Sequence, residues 1–264
     1  MNKMKSIFFV SALLIVLAGS ILFSSGLVVV HSIDAQIEKA DCTNADKIRV
    51  PSKVLGQNLL LVDFKKIESD LKNHFLCISK VEGLRIFPNK VRLLVTGREP
   101  AAILILLKDQ EATESALVAE ASASANFNFA VQGQVENFVV DDEGVVYARS
   151  IEQINVPKVL ISGLNLSLGQ QIKEKIVTNL LKVLERVKSF GIEFHETKVY
   201  SNNLLFINAM PRMIFKLDGK IDTQIASLQL ILEKAKIDEE ILEFIDLRFD
   251  KPVVVFAPKK NGQR

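Results

Sequence analysis

The first regularity along the chain is an unbroken apolar run. Residues 7–30 (IFFVSALLIVLAGSILFSSGLVVV) carry no charge, and a helix of about 20 apolar residues spans the hydrocarbon core of a bilayer. The pattern predicts a transmembrane helix over 7–30. A cleaved signal peptide is the rival reading, with Lys3 and Lys5 as its basic start and Ala18-Gly19-Ser20 as a small-residue cleavage site. The run outlasts the roughly 7–15 apolar residues of such a segment, which favours an uncleaved anchor. Ser20 stands where a lipoprotein box needs cysteine, so lipidation there is excluded. Lys3 and Lys5 precede the run and Lys39 is the first basic residue after it. The positive-inside rule therefore places a short tail, residues 1–6, in the cytoplasm and the rest of the chain outside it.

Beyond the run the period shortens. Residues 33–39 alternate as a strand, and Thr43 and Asp46 offer a weak start for a helix over 44–55, limited by Pro51. Gly56-Gln57-Asn58 punctuates, 59–62 are apolar, and Asp63 is placed to cap a helix with Phe64, Ile67 and Leu71 on one face. Branched residues fill 78–87 and 91–95, and Pro88-Asn89 between them predicts a hairpin. The order strand, helix, helix, strand, strand predicts a small α+β domain over 31–101, with two helices on one face of a three-stranded sheet.

A larger domain is expected over 102–257, interrupted at 109–135 by a flexible insertion. Its Ala, Ser, Thr and Glu-rich part, 111–125, reads as a mobile surface loop or a short Ala-rich helix. Strands at 138–140 and 145–147 flank Asp141-Asp142-Glu143-Gly144, where Gly144 supplies the positive φ of a tight hairpin. A helix over 169–189 carries Ile172, Ile176, Leu180, Leu184 and Val187 on one stripe and stops at Gly191. Strands follow at 193–200, 204–208 and 213–217. Asp222 caps a helix through Ala235 with Ile225, Leu228 and Leu232 inward, and two strands, 244–249 and 253–256, precede a tail at 258–264.

Charge and composition narrow the function classes. With 33 basic and 31 acidic residues the net charge is +2, which offers no chain-wide attraction to nucleic acid. Two cysteines, Cys42 and Cys77, lie outside any CxxC or Cys/His cluster, so a zinc site is unsupported. In an oxidising compartment they can pair; otherwise they are buried apolar thiols. His31, His74 and His195 have no His or Glu partner at helical spacing. No P-loop, G-x-G-x-x-G or G-x-S-x-G occurs, and Asp141, Asp142 and Glu143 lack the further oxygen ligands of a calcium loop. Catalytic, cofactor and metal residues are therefore all expected to be absent. Arg98-Glu99-Pro100 reads as a hinge after a strand, and Asp246-Leu247-Arg248 as an ion pair on a strand or a family signature.

Six motifs in order behind an anchor resemble the FtsQ/DivIB family of bacterial cell-division proteins. Gly56-Gln57-Asn58-Leu59-Leu60, Leu84-Arg85-Ile86-Phe87-Pro88-Asn89-Lys90-Val91 and Gly97-Arg98-Glu99-Pro100-Ala101-Ala102 are similar to its POTRA-domain turn, hairpin and close. Val139 to Tyr147 is similar to its VDxxGxVF hairpin, Val156-Pro157-Lys158-Val159 to its LPxL, and Ile245-Asp246-Leu247-Arg248-Phe249 to its IDLRY. Gly97 replaces a usual acid, Cys77 a common proline, and the Ala/Ser segment is an insertion.

The resemblance implies an α+β fold: one transmembrane helix, a POTRA domain of order β-α-α-β-β, and a larger mixed domain with an antiparallel-rich sheet and two helices. It implies a non-enzymatic divisome scaffold without cofactors, single-pass in the cytoplasmic membrane, with its main domains extracytoplasmic and located at the division septum. FtsB-like and FtsL-like single-pass proteins are the implied partners. They would bind by β-augmentation at Val253, Val254, Val255 and Phe256 with Phe249 and Lys251 alongside, while residues 7–30 contact the bilayer. A POTRA-bearing secretion or assembly factor and a membrane-anchored cell-wall enzyme are the alternatives. The first is disfavoured because helical patterns stand where membrane-barrel strands would be needed.

Overall fold

A computed structural model of the chain describes residues 28–38, 52–107, 136–149, 155–200 and 203–258. The expected tail 1–6, residues 7–27 of the apolar run, most of the helix expected over 44–55, the insertion at 109–135, Cys42 and the residues after 258 lie outside the described residues. The chain divides into two units, Met1–Glu99 and Pro100–Arg264.

In the first unit, strands β1 (Ser32–Glu38), β2 (Ile78–Ile86) and β3 (Lys90–Gly97) form a sheet of order β1-β3-β2. Central β3 pairs antiparallel with β2 and parallel with β1. Helix α1 (Phe64–His74) begins at Asp63, whose Oδ1 accepts the Lys65 and Lys66 N–H groups at 3.0 and 3.2 Å. Such a cap satisfies donors that have no partner within the helix. Ile67 and Leu71 are buried with Ile78, Val81, Val91 and Leu93. The Phe64 ring lies on Gly83, where an added Cβ would stand 2.0 Å from Phe64 Cδ1. The Arg85 guanidinium covers the same ring at 4.7 Å from its centroid. With the ring held on both sides, Gly83→Ala should destabilise the first unit by about 1–3 kcal/mol, the usual cost of overpacking. Denaturant unfolding of the full chain monitors it, and an unchanged first transition would contradict this packing.

The second unit is built on nine strands: β4 (Ala102–Leu107), β5 (Glu136–Val140), β6 (Val146–Arg149), β7 (Lys158–Ser162), β8 (Phe194–Val199), β9 (Leu204–Ala209), β10 (Arg212–Lys216), β11 (Leu242–Asp246) and β12 (Val253–Phe256). Their order is β12-β11-β10-β9-β8-β7-β4-β5-β6. Helices α2 (Lys175–Ser189) and α3 (Ile221–Ile237) bury Val177, Leu180, Leu184, Ile225 and Leu228 in one core with Leu104, Phe138, Val159, Leu205 and Phe215 of the sheet. Gln224 ties α3 to β10 through both ends of its amide: Oε1 accepts Lys216 N–H at 2.8 Å and Nε2 donates to Lys216 O at 3.0 Å. A smaller cluster, Tyr200, Leu204, Phe206 and Ile214 with Phe244 against it, packs separately.

These observations correct the expected fold class. Among the described residues no helix is long and apolar enough to cross a membrane. The last three residues of the helix expected over 7–30 belong instead to the first unit: Val28 and Val30 are buried in its core, and Val29 bridges Asn58. Val29 and Val30 pair here with Asn58 and Gln57, hydrogen bonds that a continuing helix would not give them.

Among the described residues, the stretch expected to run β-α-α-β-β shows β1, 3-10 turns at Ser52–Val54 and Leu59–Leu61, α1, β2 and β3. Pro51 lacks a backbone donor, and Gly56 turns the chain at φ 82°. The second unit has a mixed sheet: β10–β9, β11–β12, β4–β5, β5–β6 and β8–β9 pair antiparallel, and β4–β7, β7–β8 and β10–β11 pair in parallel. The described chain is sheet-rich with three α-helices. The helix expected from 169 begins at Lys175, because Gly169 to Ile172 hydrogen-bonds across to the β5–β6 hairpin.

Candidate functional site

A sheet exposes unpaired backbone donors and acceptors only at its edges, so the two ends of the nine-stranded sheet come first. At the β6 end the first residue of the edge strand is already paired. Val146 N–H donates to Gln170 O (2.9 Å), Gly169 N–H donates to Val146 O (2.7 Å), and Ile172 N–H donates to Gly144 O (2.9 Å). Gly144, at φ 77°, makes the hairpin that brings these groups together, and Asp141 Oδ1 accepts Val145 N–H at 2.7 Å. Asp141 is thus spent on holding the turn.

At the other end, among the described residues, β12 pairs with β11 alone, antiparallel, in the register Asp246↔Val253, Ile245↔Val254 and Phe244↔Val255. Backbone N–H direction alternates along a strand. Ala257 N–H donates to Ile241 O at 2.8 Å, so Val255 and Val253 also face β11. Val254 and Phe256 point their N–H groups outward. The β11 side agrees: Leu247 N–H donates to Ile214 O (2.9 Å) toward β10, leaving Asp246 and Phe244 to face Val253 and Val255.

The side chains divide between the two faces of the sheet. Val254 packs against the helix-covered core, whereas Val253 and Val255 are 50% and 43% exposed and Phe256 46%. Phe249, in the turn before β12, is 55% exposed with Arg248 above its ring at 5.2 Å. Lys251 is exposed in the same turn. All six residues singled out from the sequence thus lie on one four-residue edge strand and the turn that leads into it. Pro252 and Pro258 bound the strand, which limits uncontrolled pairing to a short segment.

Of two further features of this edge, the Asp246–Arg248 ion pair was expected from the sequence and the position of Ile241 was not. Asp246 and Arg248 form a buried, forked pair: Arg248 Nε meets Oδ1 and Oδ2 at 3.0 Å each, its terminal nitrogen meets Oδ2 at 2.7 Å, and its N–H donates to Oδ1 at 3.1 Å. Planar guanidinium and carboxylate groups favour this arrangement, and it sets the direction in which the chain leaves β11. Ile241, 69% exposed, adjoins the end of β12 through its carbonyl. An apolar pair, Ile241-Leu242, directly after Asp238-Glu239-Glu240 was the available signal.

The remaining sequence candidates are not assembled into a reactive site. His31 Nδ1 donates to Val29 O and His74 Nδ1 to Asp70 O. Among the described residues no group of three or more His, Cys, Asp or Glu side chains is placed to hold a metal ion. Two shallow grooves beside α2, about 260 and 360 Å³, are lined by such residues as Asp142, Pro157, Lys182, Glu185 and Lys188, with no histidine or cysteine. Arg98 anchors the end of the first unit, its N–H donating to Cys77 O at 2.7 Å and its Nε to Leu76 O at 3.1 Å. Cys77 is disulfide-bonded.

Compared with known proteins, the chain matches no protein-family model and no curated protein sequence.

Proposed function

We propose that this chain is a non-enzymatic scaffold of the bacterial division machinery, of the kind the FtsQ/DivIB resemblance implies. In this reading its amino-terminal apolar stretch holds it at the cytoplasmic membrane, its folded units lie outside the cytoplasm at the septum, and FtsB-like and FtsL-like single-pass proteins are its partners. The observation that carries the reading is the β12 edge, with outward N–H groups at Val254 and Phe256 beside exposed Phe249, Val253 and Val255. An extended segment added there gains backbone hydrogen bonds along the strand and apolar contact from alternate side chains. The disulfide at Cys77 supports an oxidising exterior, since such bonds persist outside the reducing cytosol. The first unit has no residue between its core and the apolar stretch, consistent with a domain held close to a membrane.

The test is recovery of tagged full-length chain from solubilised membranes, with mass-spectrometric identification of what accompanies it. Small single-pass proteins with an extracytoplasmic coiled-coil segment should be recovered, and the tagged chain should concentrate at the septum. Recovery of the chain alone from dividing cells, evenly spread around the envelope, would sink the reading.

A further inference from the structure

The first unit exposes an apolar loop at the point where the amino-terminal chain enters it. Val30 N–H donates to Gln57 O at 2.9 Å, Gly56 N–H donates to Val30 O at 3.0 Å, and Val29 bridges Asn58. On either side of this junction stand Leu55, Leu60 and Leu61, exposed by 50%, 48% and 67%. Their neighbours Val54, Leu59 and Val62 are buried, so the loop is not loosely attached. Arg85 fastens it from below, with Nε donating to Leu59 O (2.9 Å) and a terminal nitrogen to Val62 O (2.9 Å). With those carbonyls turned inward, Leu60 and Leu61 are held outward. Residues 52–62 contain no acid and Lys53 lies within them; just beyond come Asp63, whose carboxylate caps α1, and exposed Lys65 and Lys66.

Three leucines held in water cost free energy unless something covers them, and the chain itself points to what does. Residues 7–27 are apolar and uncharged, and the folded core begins at Val28, so no spacer separates the two. Consecutive Cα atoms are 3.8 Å apart, which puts residue 27 within about 11 Å of Val30 whatever the path between them. The polar layer of a bilayer is itself roughly 5–7 Å deep on each side.

We infer that the loop carrying Leu55, Leu60 and Leu61 docks on the bilayer that holds the amino-terminal stretch, its leucines entering the interface and Lys53, Lys65 and Lys66 lying against anionic headgroups. Apolar side chains flanked by lysine and short of acid are the composition that binds such a surface. The inference rests on the membrane placement proposed above and adds that the first unit lies on the surface in a defined orientation.

The sequence contains no tryptophan, so Leu61→Trp places a single indole reporter in the loop of the full-length chain. Asn73→Trp is the comparison, in the last turn of α1 and about 15 Å along the helix from its start. The chains are reconstituted into vesicles of phosphatidylglycerol and phosphatidylcholine, with and without brominated acyl chains. The Leu61→Trp emission should shift to the blue and be quenched by the brominated lipid, while Asn73→Trp stays water-like. Each basic residue beside an anionic surface contributes about fivefold to partitioning. Adding Lys65→Glu and Lys66→Glu should therefore weaken the quenching in phosphatidylglycerol vesicles and leave it unchanged in pure phosphatidylcholine. Unquenched, water-like Leu61→Trp in a chain that stays with the vesicles after a salt wash overturns the loop contact alone. A chain that washes off overturns the membrane placement, and the contact with it.

Discussion

Val254→Pro should abolish recovery of the strand-donating partner while changing the stability of the second unit by less than about 1 kcal/mol, whereas Val253→Pro should unfold that edge. Both substitutions remove one backbone donor from the same four-residue strand. They differ in where the donor points. The Val253 N–H faces Asp246 across the β11–β12 ladder, so proline there breaks an internal hydrogen bond and leaves a carbonyl without its partner, a loss of about 1–3 kcal/mol. The Val254 N–H points away from the sheet, where proline is tolerated on an edge strand. Its loss is felt only by a strand added from outside. Val254 also packs on the core, and proline retains most of that apolar volume. Thermal unfolding together with partner recovery on the two variants decides the matter. Equal recovery by wild type and a folded Val254→Pro chain would place the docking surface elsewhere.

Asp246→Ala should lower the unfolding free energy of the second unit by about 3–5 kcal/mol, because it removes the buried carboxylate that holds a largely covered guanidinium. The side chains of Asp246 and Arg248 are only 7% and 15% exposed, so water does little to replace the lost carboxylate. The same substitution removes the acceptor for Arg248 N–H and loosens the turn that presents Phe249 and Lys251. Partner recovery should therefore fall along with stability. Replacing both members, Asp246→Ala with Arg248→Ala, should cost less than the sum of the single changes, since neither charge is then left alone. Denaturant unfolding of the four chains measures this coupling. Additive losses would mean that the pair is an incidental contact and that the turn is held by something else.

Much of the local structure is legible in the order of residues. Phe64, Ile67 and Leu71 recur at helical spacing behind Asp63, and α1 starts there with Ile67 and Leu71 buried. Leu180, Leu184 and Val187 mark the buried stripe of α2 in the same way. Asp141-Asp142-Glu143-Gly144 needs a positive φ and has it at Gly144. In each case the cause is a short-range rule of periodicity, capping or backbone sterics that acts within a few residues. The rules fail where a distant segment competes. Gly169 to Ile172 continues a helical stripe on paper, yet its backbone pairs with residues 144–146. Val28 to Val30 extend an apolar run on paper, yet they lie in a core shared with Val54 and Leu59.

The sequence by itself determined where strands and helices could form and which side chains had to be covered, because each segment carries its own period and its own turn residues. The resemblance to the FtsQ/DivIB family brought Phe249, Lys251 and residues 253–256 forward as a group. The tertiary structure alone decided that β1 pairs with β3 and β10 with β11 in parallel, that Val146 at the β6 edge pairs with residues 169–170, and that Val254 rather than Val253 turns its donor outward. Strand pairing is set by hydrogen bonds between residues far apart in the chain. A local pattern of apolar and polar positions fits several such partners equally well, and only the assembled sheet selects one.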